Sequence, residues 1–255
     1  MSFKAKIEES AKSKNSRIVL ALDFPYEAPD NRGKVLTKAQ DVLKAVHPYV
    51  CAVKINHHLV LPLGTFDGVE ELVEEIRGQG LLAIMDAKVN DIGATNQTIA
   101  QYYFAAGFDA LIANPFIGWE EGLKPLFEVS QRLHRGMILL CYMSHKGACE
   151  GYGQTIIDAE TGEKTLQYTA FARKAVKYSA DGVVVGATYP QKITEVKQIV
   201  GDNVAIYSPG VGTQGGAAEE AVKAGADYII VGREITMAAD PAKAASWLRD
   251  SIKGV

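Results

Sequence analysis

At 255 residues, with 47% apolar and 22% charged side chains, the chain can bury a sizeable core as one large α/β domain or two small ones, and its make-up is that of a soluble globular protein. A net charge of −3 excludes a general nucleic-acid or polyanion binder, which needs a clustered excess of Lys and Arg, so any anion site must be local. The charged segment 1–10 lacks the apolar core of a signal peptide, and no apolar run approaches the roughly 18 residues of a membrane span. With three cysteines, Cys51, Cys141 and Cys149, and no C-x-x-C, a cytoplasmic protein without membrane contact is expected.

In chain order, a short helical extension is expected at about 1–15. Short apolar runs then follow at 18–22, 50–55, 81–85, 110–113, 137–141, 182–185, 204–207 and 228–231, which makes eight candidate strands. Helical spacing fills the gaps: Val35, Ala39, Val42 and Val46, then Val69, Leu72, Val73 and Ile76, later Ile193, Val196 and Val200. Strands apolar on both faces, each followed by an amphipathic helix, predict a parallel sheet covered by helices. Eight such units fit a single closed (β/α)8 TIM barrel over 1–255 better than an open doubly wound sheet. No Gly-x-Gly-x-x-Gly follows the first strand, where Asp23-Phe-Pro stands. No linker interrupts the alternation, and no closer internal repeat is apparent. One connection, 143–164, is long enough to be functional or mobile.

In such a barrel the site lies at the C-terminal ends of the strands. Asp23 ends the first strand, Lys54 the second, and Asp86 with Lys88 the third. Residues two apart in a strand share a side, so Asp86 and Lys88 project together from a buried element. Lone buried charge costs several kcal/mol, so charges there are paired or used in chemistry. Asp91 is either part of that chemistry or a cap for the next helix. Ser144 follows the fifth strand. After the seventh and eighth, Pro209, Gly210, Gly212, Gln214, Gly215 and Gly216, then Gly232-Arg233, read as a phosphate site: glycines admit backbone N–H groups to an anion, a helix beginning near Gln214 adds its positive end, and Arg233 offers a bidentate fork. His57-His58 and the remaining histidines form no ligand motif, and no metal is expected. Trp119, Trp247 and Tyr102-Tyr103-Phe104 read as core or interface packing.

The stretch Asp86-Ala-Lys88-Val-Asn-Asp91-Ile92 resembles the D-x-K-x-x-D-I signature of the orotidine 5′-monophosphate decarboxylase family. The likeness extends to Leu20-Ala-Leu-Asp23, Val53-Lys54-Ile55, Asn114-Pro-Phe116, Met143-Ser144-His145, the 209–216 segment and Val231-Gly-Arg233, from about residue 17 to residue 252. The signature is shared with 3-hexulose-6-phosphate synthase and 3-keto-gulonate-6-phosphate decarboxylase. Those relatives place a Mg2+-binding Glu in the second-strand segment, where this chain has Lys54. The resemblance therefore implies cofactor-free conversion of orotidine 5′-monophosphate to uridine 5′-monophosphate and CO2, the last step of pyrimidine synthesis.

It further implies that Lys88 donates the proton to C6, that Asp86 lies beside the substrate carboxylate, and that Lys54 and Asp91 complete the charge network. Asp23 and Lys54 would contact the ribose and Ser144 the pyrimidine edge. Gln214, Gly232 and Arg233, with the loop from Pro209 through Gly210, Gly212 and Gly215, would hold the phosphate. Asp91 and Thr95 would reach a neighbouring subunit's site, which makes a homodimer the expected assembly. Asn114 departs from the family, where a His is common.

Overall fold

A computed structural model describes residues 1–28, 31–159, 161–212 and 218–254. Eight strands form a closed parallel barrel: β1 (Ile18–Ala21), β2 (Ala52–Ile55), β3 (Leu82–Val89), β4 (Ala110–Ala113), β5 (Gly136–Tyr142), β6 (Gly182–Val185), β7 (Ala205–Pro209) and β8 (Tyr228–Val231). Each pairs with its neighbours in chain order, and β8 closes onto β1 through Ile18 opposite Ile229 and Leu20 opposite Val231. The strands are nearly all buried apolar residues because helices cover the outside and side chains fill the inside. The expected helical stripes supply that cover. Val35, Ala39, Val42 and Val46 are buried along Arg32–Val46, Leu72, Val73 and Ile76 along Glu70–Gly78, and Ile193, Val196 and Val200 along Pro190–Val200.

The helix Phe3–Lys14 lies against the barrel floor, with Phe3 and Ile7 buried. Phe3 occupies the space left by Gly136 at the start of β5: a Cβ there would sit 2.4 Å from the ring. Gly182 makes the same allowance for Tyr207, whose ring stacks on Tyr228 at 4.9 Å. Small residues opposite large ones close the floor, so the open end of the barrel is the C-terminal one.

A recurring device sets the strand register. Gly107, Ser179 and Gly225, all with positive φ, follow the helices before β4, β6 and β8, and two positions later each chain enters its strand through an aspartate. The carboxylates of Asp109, Asp181 and Asp227 accept the N–H of Ala83, Met137 and Ile206 at 3.0, 2.9 and 2.8 Å. Each aspartate also donates its own N–H to the carbonyl of that same residue, at 2.8, 2.9 and 3.0 Å. In front of β2, Cys51 substitutes: its N–H and its thiol both reach the Ile18 carbonyl. The lock recurs at uneven spacing, so no fixed period in the sequence reveals it.

The long connection after β5 is not structureless. It contains a short helical turn, Ala148–Gly151, and an antiparallel hairpin pairing Thr155–Ile157 with Lys164–Leu166. Trp119 stacks on Tyr178 at 4.0 Å and Phe104 is buried, but Trp247 and Tyr102 are exposed on this single chain. Among the described residues no helix is long and apolar enough to cross a membrane.

Candidate active site

β3 is the longest strand and departs from regularity where its charges lie. Its register against β4 shifts between Met85 and Val89, and Lys88 adopts φ 49°, a left-handed conformation uncommon for a residue with a Cβ. The two charged side chains still meet: Lys88 Nζ lies 2.7 Å from Asp86 Oδ1. The other oxygen of Asp86 accepts from Lys54 Nζ at 2.8 Å, and Lys54 Nζ lies 3.7 Å from Asp23 Oδ1. Lys88, Asp86, Lys54 and Asp23 thus form one line of alternating charge across the ends of β3, β2 and β1.

Lys54 is 5% and Asp86 7% exposed, so the pair exists in low dielectric. Burial alone would push the Asp86 carboxyl up, but the Lys54 and Lys88 ammonium groups outweigh it and hold the pKa below its ordinary value. For Lys54, burial favours the neutral amine, and the carboxylates of Asp86 and Asp23 reverse this and raise the pKa overall. Lys88 is different in kind, because its side chain keeps 37% of its exposure and faces open space.

That space is a cavity of about 230 Å³ in the barrel mouth. The charged line forms one wall, and Ile112, Leu140, Val184 and Ile230 form an apolar floor. Of the residues expected from sequence, Asp23, Lys54, Asp86, Lys88, Ser144, Pro209, Gly210, Gly232 and Arg233 all line it. Gly210 and Gly212 have φ of 98° and 80°, which only glycine adopts readily. Gly212 packs against Glu234, where a Cβ would come within 2.4 Å of a carboxylate oxygen. Gln214, Gly215 and Gly216 lie outside the described residues, as does the expected start of the helix near Gln214. Among the described residues, the helix that follows β7 is Ala218–Lys223.

Asp91 and Thr95 stand apart from this cavity. Both are exposed, and no ion pair among the described residues joins Asp91 to Lys88. Among the described residues of one chain, the charge line therefore ends at Lys88 on this side. Nor does Asp91 cap the following helix, Gly93–Ala105, whose N-cap is Ile92 without a side-chain bond. Asp91 accepts the Ile92 N–H, and buried Asn96 fastens the loop by bonding both the Asp91 backbone and the Gly122 carbonyl.

Asn56, Met143 and Val211 also line the cavity and belong to none of the expected contacts. Asn56 had a signal, since it lies two residues beyond Lys54 on the same strand period. Ser144 is held by close approach: a Cβ on Gly186 would stand 2.6 Å from the Ser144 Cα. Among the described residues, no three His, Cys, Asp or Glu side chains gather as a metal site.

The sequence profile described as "Orotidine 5'-phosphate decarboxylase / HUMPS family" matches residues 16–247. The chain is 34% identical over 243 residues to the orotidine 5′-phosphate decarboxylase of Methanosarcina mazei, covering 94% of this chain and 96% of that one. With the enzyme of the same name from Pyrococcus horikoshii it shares 36% over 240 residues, covering 93% and 100%. Its fold is similar to the crystal structure of orotidine 5′-monophosphate decarboxylase from Methanocaldococcus jannaschii complexed with the inhibitor BMP, with TM-score 0.76, 29% identity, and coverage of 93% and 98%. A barrel with a charged line at its mouth, matched over nearly its whole length by orotidine 5′-phosphate decarboxylases, this chain belongs to the orotidine 5′-phosphate decarboxylase / HUMPS family.

Proposed function

We propose that the protein converts orotidine 5′-monophosphate to uridine 5′-monophosphate and CO2, with Lys88 as proton donor. The observation that carries this reading is the line Lys88–Asp86–Lys54, which places a partly exposed ammonium beside a buried carboxylate over an apolar floor. The pyrimidine would lie on Ile112, Leu140, Val184 and Ile230, with its edge toward Ser144. Its C6 carboxylate would sit near Asp86. As the C6–carboxylate bond breaks, the electron pair stays on C6 and CO2 departs. Lys88 gives a proton to C6 and regains one from solvent, which its exposure permits. Its fixed positive charge also favours the carbanion-like transition state, and because Asp86 already orients it, little reorganisation accompanies the reaction.

The phosphate would be held by Arg233 with the Pro209–Gly210 turn and Gly232, together with Gln214 and Gly215. Asp23 and Lys54 would take the ribose. Binding energy from the distant phosphate is then available to assemble the reacting end. Lys54 supports this activity over the Mg2+-dependent sugar-phosphate chemistry of the family, because an ammonium within 2.8 Å of Asp86 already supplies the cation. Exposed Asp91, Ile92 and Thr95, at the rim beyond β3, fit a second copy of the chain whose own Asp91 and Thr95 complete this site. Three free cysteines, two of them buried, fit a reducing, cytoplasmic setting.

Mixing the purified protein with orotidine 5′-monophosphate and following ultraviolet absorbance tests the activity directly. Turnover unaffected by EDTA is expected. No turnover, or turnover abolished by chelation, would overturn the assignment.

A further inference from the structure

Asn56 lines the cavity at the C-terminal end of β2 and belongs to none of the motifs described above. Its side chain makes two hydrogen bonds of opposite sense. Oδ1 accepts the His58 N–H at 2.9 Å, capping the helix His57–Leu63, which leaves Nδ2 to donate to Asp23 Oδ1 at 2.8 Å. The cap fixes which end of the amide faces the carboxylate. Turned over, Asn56 would set an oxygen against Asp23 and leave the His58 N–H without its acceptor.

The same Asp23 oxygen lies 3.7 Å from Lys54 Nζ, while Lys54 is engaged with Asp86 at 2.8 Å. Coulomb attraction draws Asp23 toward Lys54, and a direct contact would turn the carboxylate into the wall. The amide of Asn56 opposes that motion. Asp23 Oδ2 lies instead against Gly232 on the cavity lining, 3.2 Å from the place a Cβ there would occupy.

We propose that Asn56 is a positioning residue that holds Asp23 Oδ1 off Lys54 and so keeps Oδ2 turned to the cavity for a ribose hydroxyl. The proposal rests on the reading of Asp23 as the ribose contact. Asn56→Ser keeps an oxygen for the helix cap but has no amide to reach Asp23, which separates positioning from folding. Dissociation constants are measured for uridine 5′-monophosphate and for its 2′,3′-dideoxy analogue. Asn56→Ser is expected to reduce the preference for the ribonucleotide about tenfold. Asp23→Asn is expected to reduce it as well.

Asn56→Asp adds a signature that a merely structural role would not produce. Two carboxylates at this distance resist joint ionisation, so at acid pH their shared proton replaces the amide N–H, and at higher pH they repel. The other charged or titratable groups around this corner are Lys54, Asp86, Lys88 and Arg233 on the cavity lining, with His57 and His58 at the start of the capped helix. KM for this variant should match the wild type at acid pH and climb about tenfold as the shared proton is lost. A full ribonucleotide preference in Asn56→Ser, with loss in Asp23→Asn, would overturn the positioning role and leave the ribose reading standing. An unchanged preference in both variants would overturn both. A KM for Asn56→Asp that follows the wild-type pH profile would also overturn the positioning role.

Discussion

Asp86 accepts from two ammonium groups through its two oxygens, and that arrangement sets the properties of the site. Removing Lys88 should abolish chemistry while leaving nucleotide binding. For Lys88→Ala, turnover is expected to fall by at least the 10²–10⁴ of a lost general acid, with uridine 5′-monophosphate affinity by calorimetry nearly retained. Normal turnover would discard the proton-donor role. Arg233→Ala acts at the other end, where loss of charge-assisted bonds to phosphate should raise KM by about 10–100-fold. An unchanged KM would remove phosphate recognition from it.

The same pair links stability to pH. The Asp86 pKa lies below its ordinary 3.8, so its contribution is present above that value and is lost as pH falls through the lower folded-state value. The Lys54 pKa lies above 10.5, so its contribution holds below that value and is lost as pH rises past the folded-state value. Melting temperature should fall less steeply between pH 5 and about pH 2 for Asp86→Asn than for the wild type. Parallel slopes would contradict the coupling. Lys54, Asp86 and Lys88 were legible in the sequence because charge at the end of an apolar run is costly. Asn56 shares the strand period of Lys54, but an uncharged polar residue at a strand end is ordinary and does not by itself point to a site.

The elements themselves are held by backbone locks that short-range patterning hides. Asp109 shows the device at its most buried: its carboxylate accepts from Ala83 N–H and from Arg135 at 2.8 Å, with 3% of the residue exposed. Asp109→Ala strands both donors, at a cost of about 3–5 kcal/mol, or roughly 10 °C in melting temperature for a chain of this size. Because it lies at the floor, kcat and KM should be unchanged where both forms are folded. A variant with wild-type melting temperature would show that the lock contributes nothing. The locks recur at 109, 181 and 227, and the long β5 connection between the first two breaks any fixed period. The hairpin in that connection leaves no periodic signal for another reason: strands of three residues carry too little alternation. The shift of β3 at Lys88 was equally hidden, because only pairing with β4 reveals it.

At the scale of the whole molecule, the single chain leaves Asp91 and Thr95 facing outward beside Ile92, which is 72% exposed. If a second copy covers them, sedimentation should give about twice the 27.5 kDa chain mass, and Ile92→Lys should produce monomers with much reduced turnover. A fully active monomer would exclude any role for Asp91 across the interface. The order and number of strands were determined by the sequence alone, because each βα unit carries its own apolar run and helical stripe, and local patterning needs no partner. So was the identity of the charged residues. Tertiary structure decided how those charges are joined: Asp23 and Lys54 are brought beside Asp86 and Lys88 by barrel closure, and Asp91 is kept away. That outcome depends on distances of a few ångströms between segments remote in the chain, which residue spacing does not encode.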